Sequence, residues 1–303
     1  MNIYINPDGK SGGPNVFKQR LINGIKKYSD VAVIDDLSKK FDAELCFIKS
    51  KADHNRPIVL RLDGCYYDKP RLSMNASLRH AISKSNMVIF QSNFSKKMCY
   101  KFLKIKRCNS CVIYNGIDFD DIYNIPADTT VSPGSFVACS HWRSNKRPMS
   151  IINGFLEATT SEHLYMIGDG LKKPVKHNRI HYCGKITWQQ SISIMKACDY
   201  QIHICHIDSC PNAVVEGLAC GLNVLSSNLG GTPEIVKDNG IVLNLDAWDF
   251  SPVDDMKFDN IPTYIIADGI NKLKQIKTRT MREDLHIKYA VEKYVAACQQ
   301  ACS

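Results

Sequence analysis

Short apolar, β-branched runs alternate with stretches of helical spacing from one end of the chain to the other. NIYI (2–5), VAVI (31–34), ELCFI (44–48), PIVLRL (57–62), MVIFQ (87–91) and CVIY (111–114) read as one set of strands. SFVACS (135–140), LYMIG (164–168), RIHYCG (179–184), QIHIC (201–205), NVLSS (223–227) and GIVLNL (240–245) read as a second. Helical spacing appears between strands, as in NVFKQRLINGIKKY and RLSMNASLRHAISKS, and again in the closing MREDLHIKYAVEKYVAACQQA. Strand and helix alternating in this way is the pattern of parallel βα units. The stretch from about Asp118 to Gly134 has Pro, Asp and Thr but no sustained period, which puts a domain junction there. The expectation is an α/β chain of two doubly wound, Rossmann-like domains, residues 1–130 and 131–303, facing each other across a cleft.

Composition narrows this picture. At 303 residues and 44% hydrophobic content the chain can form two cores. No window approaches the 18 or so uninterrupted apolar residues of a membrane span, and MNIYINPDGK lacks the layout of a signal peptide, so a soluble, cytoplasmic protein is expected. Thirteen cysteines, scattered through strand and helix segments, read as reduced thiols. The net charge of +9, from 39 basic and 30 acidic residues, favours anionic partners without choosing among them.

The densest chemistry lies in DSCPNAVVEGLACG, Asp208 to Gly221. A strand runs into a loop, and Pro211 suits the first turn of a helix because its missing N–H is unpaired there anyway. Asn212 and Glu216 then share one helix face near its positive end, and Gly221 closes the helix. Asp208, Asn212 and Glu216 should therefore gather at the carboxyl edge of a parallel sheet, where open α/β folds bind ligands. Two carboxylates suit the hydroxyls of a ribose or a sugar ring. In NLGGTPEIV, Gly230 and Gly231 permit close backbone approach, with Thr232 as N-cap and Pro233 in the first turn of a second helix start on the same edge. The amides of two helix starts make a seat for an anion, and hydroxyl-binding acids beside a phosphate seat call for a nucleotide sugar.

SCPNAVVEGLACGLNVLSSNLGGTPEIV resembles the signature of glycosyltransferase family 4, retaining enzymes of the GT-B fold that use nucleotide sugars. The resemblance implies a first, acceptor-side domain, a second, donor-binding domain, and C-terminal helices that return to the first. It also implies that Glu216 holds the ribose hydroxyls. Asp208 stands where the family usually has Glu, as the contact to the donor sugar, and Ser209, Cys210, Pro211 and Asn212 complete that donor loop. SGGPNVFKQRL is similar to the family's first glycine-rich loop, which makes Gly12 and Gly13 phosphate-facing candidates. VIFQSNFSKK followed by VIYNGID is like the end of the family's first domain. FVACSHWRSNKRPMSIINGFLEA is similar to the opening of the second domain, where an Arg and a Lys clamp the diphosphate. Lys146 takes the Lys position, and Arg143 is taken for the Arg although the family's usual spacing falls on His141. Backbone contacts to the base are expected around Gly168 and at Gly184, Lys185 and Ile186. Where the family commonly has a His at the tip of the fourth strand this chain reads RLDG, so Asp63, with Arg61, replaces it, and the acid–base assignment between them stays open.

The activity implied is transfer of a sugar, with retention, from a nucleoside diphosphate sugar to a glycan, lipid or glycoprotein acceptor. Uridine diphosphate is the default nucleotide, and no cofactor or metal is called for, since Lys146, Arg143 and glycine-loop amides can meet the charge on the leaving group. The shorter acid at Asp208 and the missing strand-tip His are what a catalytically silent nucleotide-sugar-binding module would show, and turnover separates the two. Nucleic-acid binding, suggested by net charge alone, is set aside for want of a recognised motif.

Three further signals are weighed against plainer readings. The Asp-x-Asp of DFDD, Asp118 to Asp121, reads as a solvated hinge and not a metal site. His203, Cys205, His206 and Cys210 superficially suit zinc, but His203 and Cys205 share one strand face while His206 points to the other, and no second pair at finger spacing exists. Cys108 and Cys111 run into a strand and are set aside with them. The acid-free run SKKMCYKFLKIKR spaces Phe94, Met98, Phe102 and Ile105 along one helix face. That stripe reads first as packing on a sheet with hydrated lysines, and second as a peripheral contact to anionic lipid.

Overall fold

A computed structural model of the chain describes residues 1–6, 12–50, 53–172, 174–254, 258 and 260–303. Ser11 of the first glycine-rich stretch lies outside the described residues. All twelve strands expected from the apolar runs form, and they build two six-stranded sheets. The chain divides into two compact units, one of Met1–Asp118, Asp249–Asp255 and Asp284–Ser303, the other of Phe119–Trp248 and Met256–Glu283.

In the first unit, β1 (Asn2–Tyr4), α1 (Gly13–Tyr28), β2 (Ala32–Ile34), β3 (Ala43–Phe47) and β4 (Ile58–Leu62) come before α2 (Asn75–Ser83), β5 (Met87–Phe90), α3 (Asn93–Leu103) and β6 (Ser110–Val112). The strands pair in parallel in the order β2-β1-β3-β4-β5-β6. Parallel strands are joined by crossovers that cover both sheet faces, so their residues are apolar without alternation. MVIF of β5 is accordingly buried at all four positions. The face of α3 in this packing is offset by one residue from the expected stripe: Cys99 and Leu103 join Leu62, Leu78, Val88 and Phe90 in one apolar cluster, Ile105 packs against it, Met98 is buried, and Phe94 lies 5.5 Å from the Phe250 ring. Lys97 and Lys101 on the same helix are exposed.

The second unit holds α4 (Phe119–Tyr123), β7 (Phe136–Cys139), α5 (Pro148–Ala158), β8 (Leu164–Ile167), β9 (Ile180–Gly184) and α6 (Trp188–Ala197). After them come β10 (Tyr200–His203), α7 (Asn212–Ala219), β11 (Asn223–Ser227), α8 (Thr232–Val236), β12 (Gly240–Leu243) and α9 (Thr263–Leu273). Its parallel order is β12-β11-β10-β7-β8-β9. Phe136, Phe155, Leu164, Ile202, Leu225, Ile266 and Ile270 are among the buried residues of its core.

The last helix, α10 (Ile287–Cys302), belongs to the first unit, so that unit is not confined to residues 1–130. Its buried face of Ile287, Ala290, Val291, Tyr294, Ala297 and Cys298 packs into the core around Phe17, Leu21 and Leu45. A Cβ at Gly24 of α1 would come within 2.9 Å of Ile287, which shows how closely α1 and α10 approach. The first border falls at Asp118 and not near 130, because residues 119–130 are tied to α6. Asp128 N donates to Ser193 O at 3.0 Å, and the Ser193 hydroxyl donates to Pro126 O at 2.7 Å. Asp118 is no solvated hinge: it is 9% exposed and accepts from Lys27 Nζ at 2.9 Å and from Tyr28 at 3.0 Å. No helix among the described residues is long and apolar enough to cross a membrane.

Candidate functional site

The order of the second sheet sets the site. From β7 the chain winds outward through β8 and β9, then returns to the other side of β7 and winds through β10, β11 and β12. The loops leaving β7 and β10 therefore run in opposite directions from adjacent strand ends, and the crevice between them is where open α/β sheets take ligands. Lys146 comes from the first loop and Asp208 from the second. Lys146 Nζ lies 2.5 Å from Asp208 Oδ2, with the two side chains 13% and 22% exposed. Burial alone would lift the Asp208 pKa, but the ammonium and His203 beside it hold the carboxyl far below its usual range. Burial would likewise lower the Lys146 pKa, and Asp208 and Cys205 raise it. Both groups are charged.

His203 at the end of β10 lies 3.6 Å from the same Asp208 oxygen, and burial keeps its imidazole neutral by lowering its pKa. The ligand atoms of His203, Cys205 and Asp208 all fall within 4.8 Å of one another, the one such trio among the described residues. His203 and Cys205 do share a side, as the strand period requires. The Lys146 ammonium pairs with Asp208 beside this trio. His206 leaves the group: its ring stands 4.2 Å from Phe258, and burial, with Arg147 nearby, holds its pKa down to about 4. The hollow beside Lys146, lined by Cys139, Ser140, Trp142, His203 and Cys205, is only about 10 Å³, room for one water at most.

α7 begins at Asn212, with Pro211 as its N-cap and not in its first turn; the Pro211 carbonyl accepts from Val214 and Val215 N at 3.0 and 3.2 Å. Gly221, with φ +78°, follows the C-cap, a backbone region in which glycine carries no Cβ penalty. Glu216 on this helix is 7% exposed and accepts the indole N–H of Trp188 at 3.2 Å. At the tip of β7, burial pushes the Cys139 thiol up to about 12, with Glu216 adding to the shift and Lys146 opposing it. Glu216 and Lys146 thus act on the same strand end. The turn after β11 closes onto the Asp208 loop: Gly231 N donates to Asp208 O at 2.7 Å. Gly231 is the N-cap of α8, and Thr232 is its first residue in place of the expected cap.

Ser209 and Asn212 are half-buried around Asp208 and Cys210 is buried. Arg143 is exposed at the start of the turn that carries Lys146, while His141 is engaged with Asp169. Gly184, at φ +64°, and Lys185 are exposed and Ile186 half-buried between β9 and α6. Gly168 N donates to Gly184 O at 2.8 Å. These residues all belong to the second unit. Gly12 and Gly13 belong to the first, exposed at the start of α1 where that sheet changes direction between β1 and β3.

Asp63 is also in the first unit, just past β4. It is bound by Arg61 and accepts from Gln91 Nε2 at 2.6 Å, while Arg61 Nη2 donates to Asn115 Oδ1 at 2.7 Å. Arg61 is wholly buried, 4.5 Å above the Phe17 ring. Burial outweighs Arg61 and Gln91 and raises the Asp63 pKa, and its Oδ2 has no hydrogen-bond partner among the described residues.

Trp188 and His203 are the neighbours of the site that the motif reading missed or gave another role. The available signal for Trp188 was Thr187-x-x-Gln190. That capping box forms, Thr187 N to Gln190 Oε1 at 2.9 Å and Gln190 N to Thr187 Oγ1 at 3.2 Å, and makes Trp188 the first residue of α6.

Residues 136–251 match a family model described as glycosyl transferases group 1. Over 176 residues the chain is 27% identical to an uncharacterized glycosyltransferase of Methanocaldococcus jannaschii, an alignment covering 54% of this chain and 47% of that protein. The chain thus spans about half the length of that curated relative. HepE of Anabaena, solved with UDP and glucose, superposes with a TM-score of 0.69 over 99% of this chain and 100% of its own, at 16% identity. Sucrose-phosphate synthase of Thermosynechococcus elongatus superposes with a TM-score of 0.66 over 99% and 97%, at 12% identity. At these identities the likeness is one of fold, two Rossmann-like units of the GT-B type.

Proposed function

We propose that the chain is a glycosyltransferase that binds a nucleoside diphosphate sugar, uridine diphosphate by default, in its second unit. The sugar passes to a hydroxyl of a glycan, lipid or protein-linked acceptor with retention at the anomeric carbon. The observation that carries the reading is the Lys146–Asp208 ion pair at the β7–β10 switch, with Glu216 acting on the same strand end. The family match supports it because residues 136–251 contain all three. HepE, with its bound UDP and glucose, supports the choice of nucleotide.

In this reading the diphosphate takes Lys146 from Asp208. The ammonium, with exposed Arg143 beside it, neutralises the charge that builds on the leaving oxygen as the glycosidic bond breaks. Asp208, released, accepts from a hydroxyl of the donor sugar, and Glu216 accepts from the ribose. The backbone at Gly184, Lys185 and Ile186 lies against the base, Gly12 and Gly13 serve the phosphates, and Asp63, held by Arg61, is the candidate acid–base group. The charge on the leaving group is met by side chains and calls for no metal.

A thermal-shift screen across sugar nucleotides tests the binding half of the proposal. A true donor at one hundred times its dissociation constant stabilises the fold by about 2.7 kcal/mol. A panel of uridine, guanosine and adenosine diphosphate sugars that leaves the melting temperature unmoved contradicts it.

A further inference from the structure

We infer that Trp188 is a positioning residue that sets Glu216 for the two adjacent hydroxyls of a ribose, and so makes the site discriminate ribonucleotides from deoxyribonucleotides. This deepens the nucleotide-sugar reading and rests on it. A glutamate carries three side-chain torsions, and one that is 7% exposed must have its lone pairs satisfied in a fixed geometry or bear the cost of desolvation. The indole N–H can only donate, and it donates to Glu216 Oε1 at 3.2 Å. That hydrogen bond anchors one carboxylate oxygen and narrows the orientations open to the group.

Trp188 is itself held in place. The capping box of Thr187 and Gln190 fixes the backbone at the first residue of α6, so the indole leaves from a helix start and not from an irregular loop. Both hydroxyls of a ribose can donate, and an oriented carboxylate can accept from two adjacent donors at once. A carboxylate free to rotate would accept from either hydroxyl alone nearly as well, and would lose its preference for the pair.

The experiment compares dissociation constants of uridine and 2′-deoxyuridine diphosphates, with the guanosine pair alongside, for the wild-type chain, Trp188→Phe and Glu216→Gln. The wild type should prefer the ribonucleotide by roughly ten- to a hundredfold, the range of one hydrogen bond to a charged group. Trp188→Phe should cut that preference to about threefold or less while binding of inorganic pyrophosphate stays unchanged. Trp188 is half-buried; should the phenylalanine variant not fold, benzothienylalanine at 188, which keeps the indole shape and lacks only the N–H, gives the same comparison. An undiminished preference in the folded Trp188 variant overturns the role of Trp188 and leaves the nucleotide-sugar reading standing. Equal binding of ribo- and deoxyribonucleotide by the wild type overturns the diol reading at Glu216, while no binding of any diphosphate overturns the functional proposal as well.

Discussion

A Cβ added at Gly230 would stand 2.6 Å from the carbonyl oxygen of Asp208. The turn after β11 therefore presses on the backbone of the loop after β10, and Gly230 itself has φ +96°, a region L side chains rarely adopt. Gly230→Ala should lower the unfolding free energy by about 1–3 kcal/mol and displace the Asp208 loop, weakening nucleoside diphosphate binding. Urea unfolding read beside a binding titration checks both effects.

Gly154→Ala separates scaffold from site. On α5 its Cβ would lie 2.4 Å from Ile266 Cγ2 of α9, so the two helices could not keep their approach. We expect a loss of about 1–3 kcal/mol in urea unfolding from overpacking. Nucleotide affinity, measured well below the melting temperature, should stay at the wild-type value.

Lys146 and Asp208 should couple strongly in a double-mutant cycle. Removing one member of a largely buried pair leaves the other charge uncompensated, so Lys146→Met and Asp208→Asn should each lose about 3 kcal/mol of stability. The double variant should lose less than the sum by at least about 1 kcal/mol. Additive losses would show that the ion pair does not persist in solution.

Acid should destabilise the second unit through the half-buried His206. The His206 pKa is about 4 in the folded chain against an ordinary 6.5, because burial and Arg147 oppose its charge. The unfolded chain takes up this proton first, so the contribution is fully present above pH 6.5 and is lost as pH falls toward 4. The full shift corresponds to about 3 kcal/mol, and solvent screening at this half-buried ring reduces the expected loss to roughly half of that. Urea midpoints between pH 7 and pH 4 should fall steeply for the wild type and less steeply for His206→Phe, which keeps the ring against Phe258.

Each of the quoted runs forms a strand; central ones such as MVIF of β5 were legible because a parallel strand covered on both faces reads as a continuous apolar run, whereas β9, IHYCG, is buried only at Ile180. The Asp208 loop and α7 were legible through Pro211 and Gly221, which mark a helix start and stop, though Pro211 caps the helix and does not enter it. Contacts between distant segments were not. Lys146 and Asp208 are 62 residues apart, Trp188 and Glu216 are 28 apart, and each meeting depends on the strand order, which local pattern does not contain. Asp118 misled in a different way: polar composition suggested solvent, whereas Lys27 and Tyr28 of α1 take up its carboxylate. The border at 130 failed for a related reason, since residues 124–130, past the short α4, form no helix or strand and are tied to α6 by hydrogen bonds at Ile125 and Pro126.

The central claim is tested most directly by the release of free nucleoside diphosphate from a panel of sugar nucleotides, compared between the wild-type chain and Lys146→Ala. We expect the wild type to turn over at least one donor, uridine forms first. Lys146→Ala should be slower by about a hundredfold or more, the loss of one preorganised donor to a developing anion. A wild type that turns over none of them, or a Lys146→Ala variant as fast as the wild type, would contradict the account.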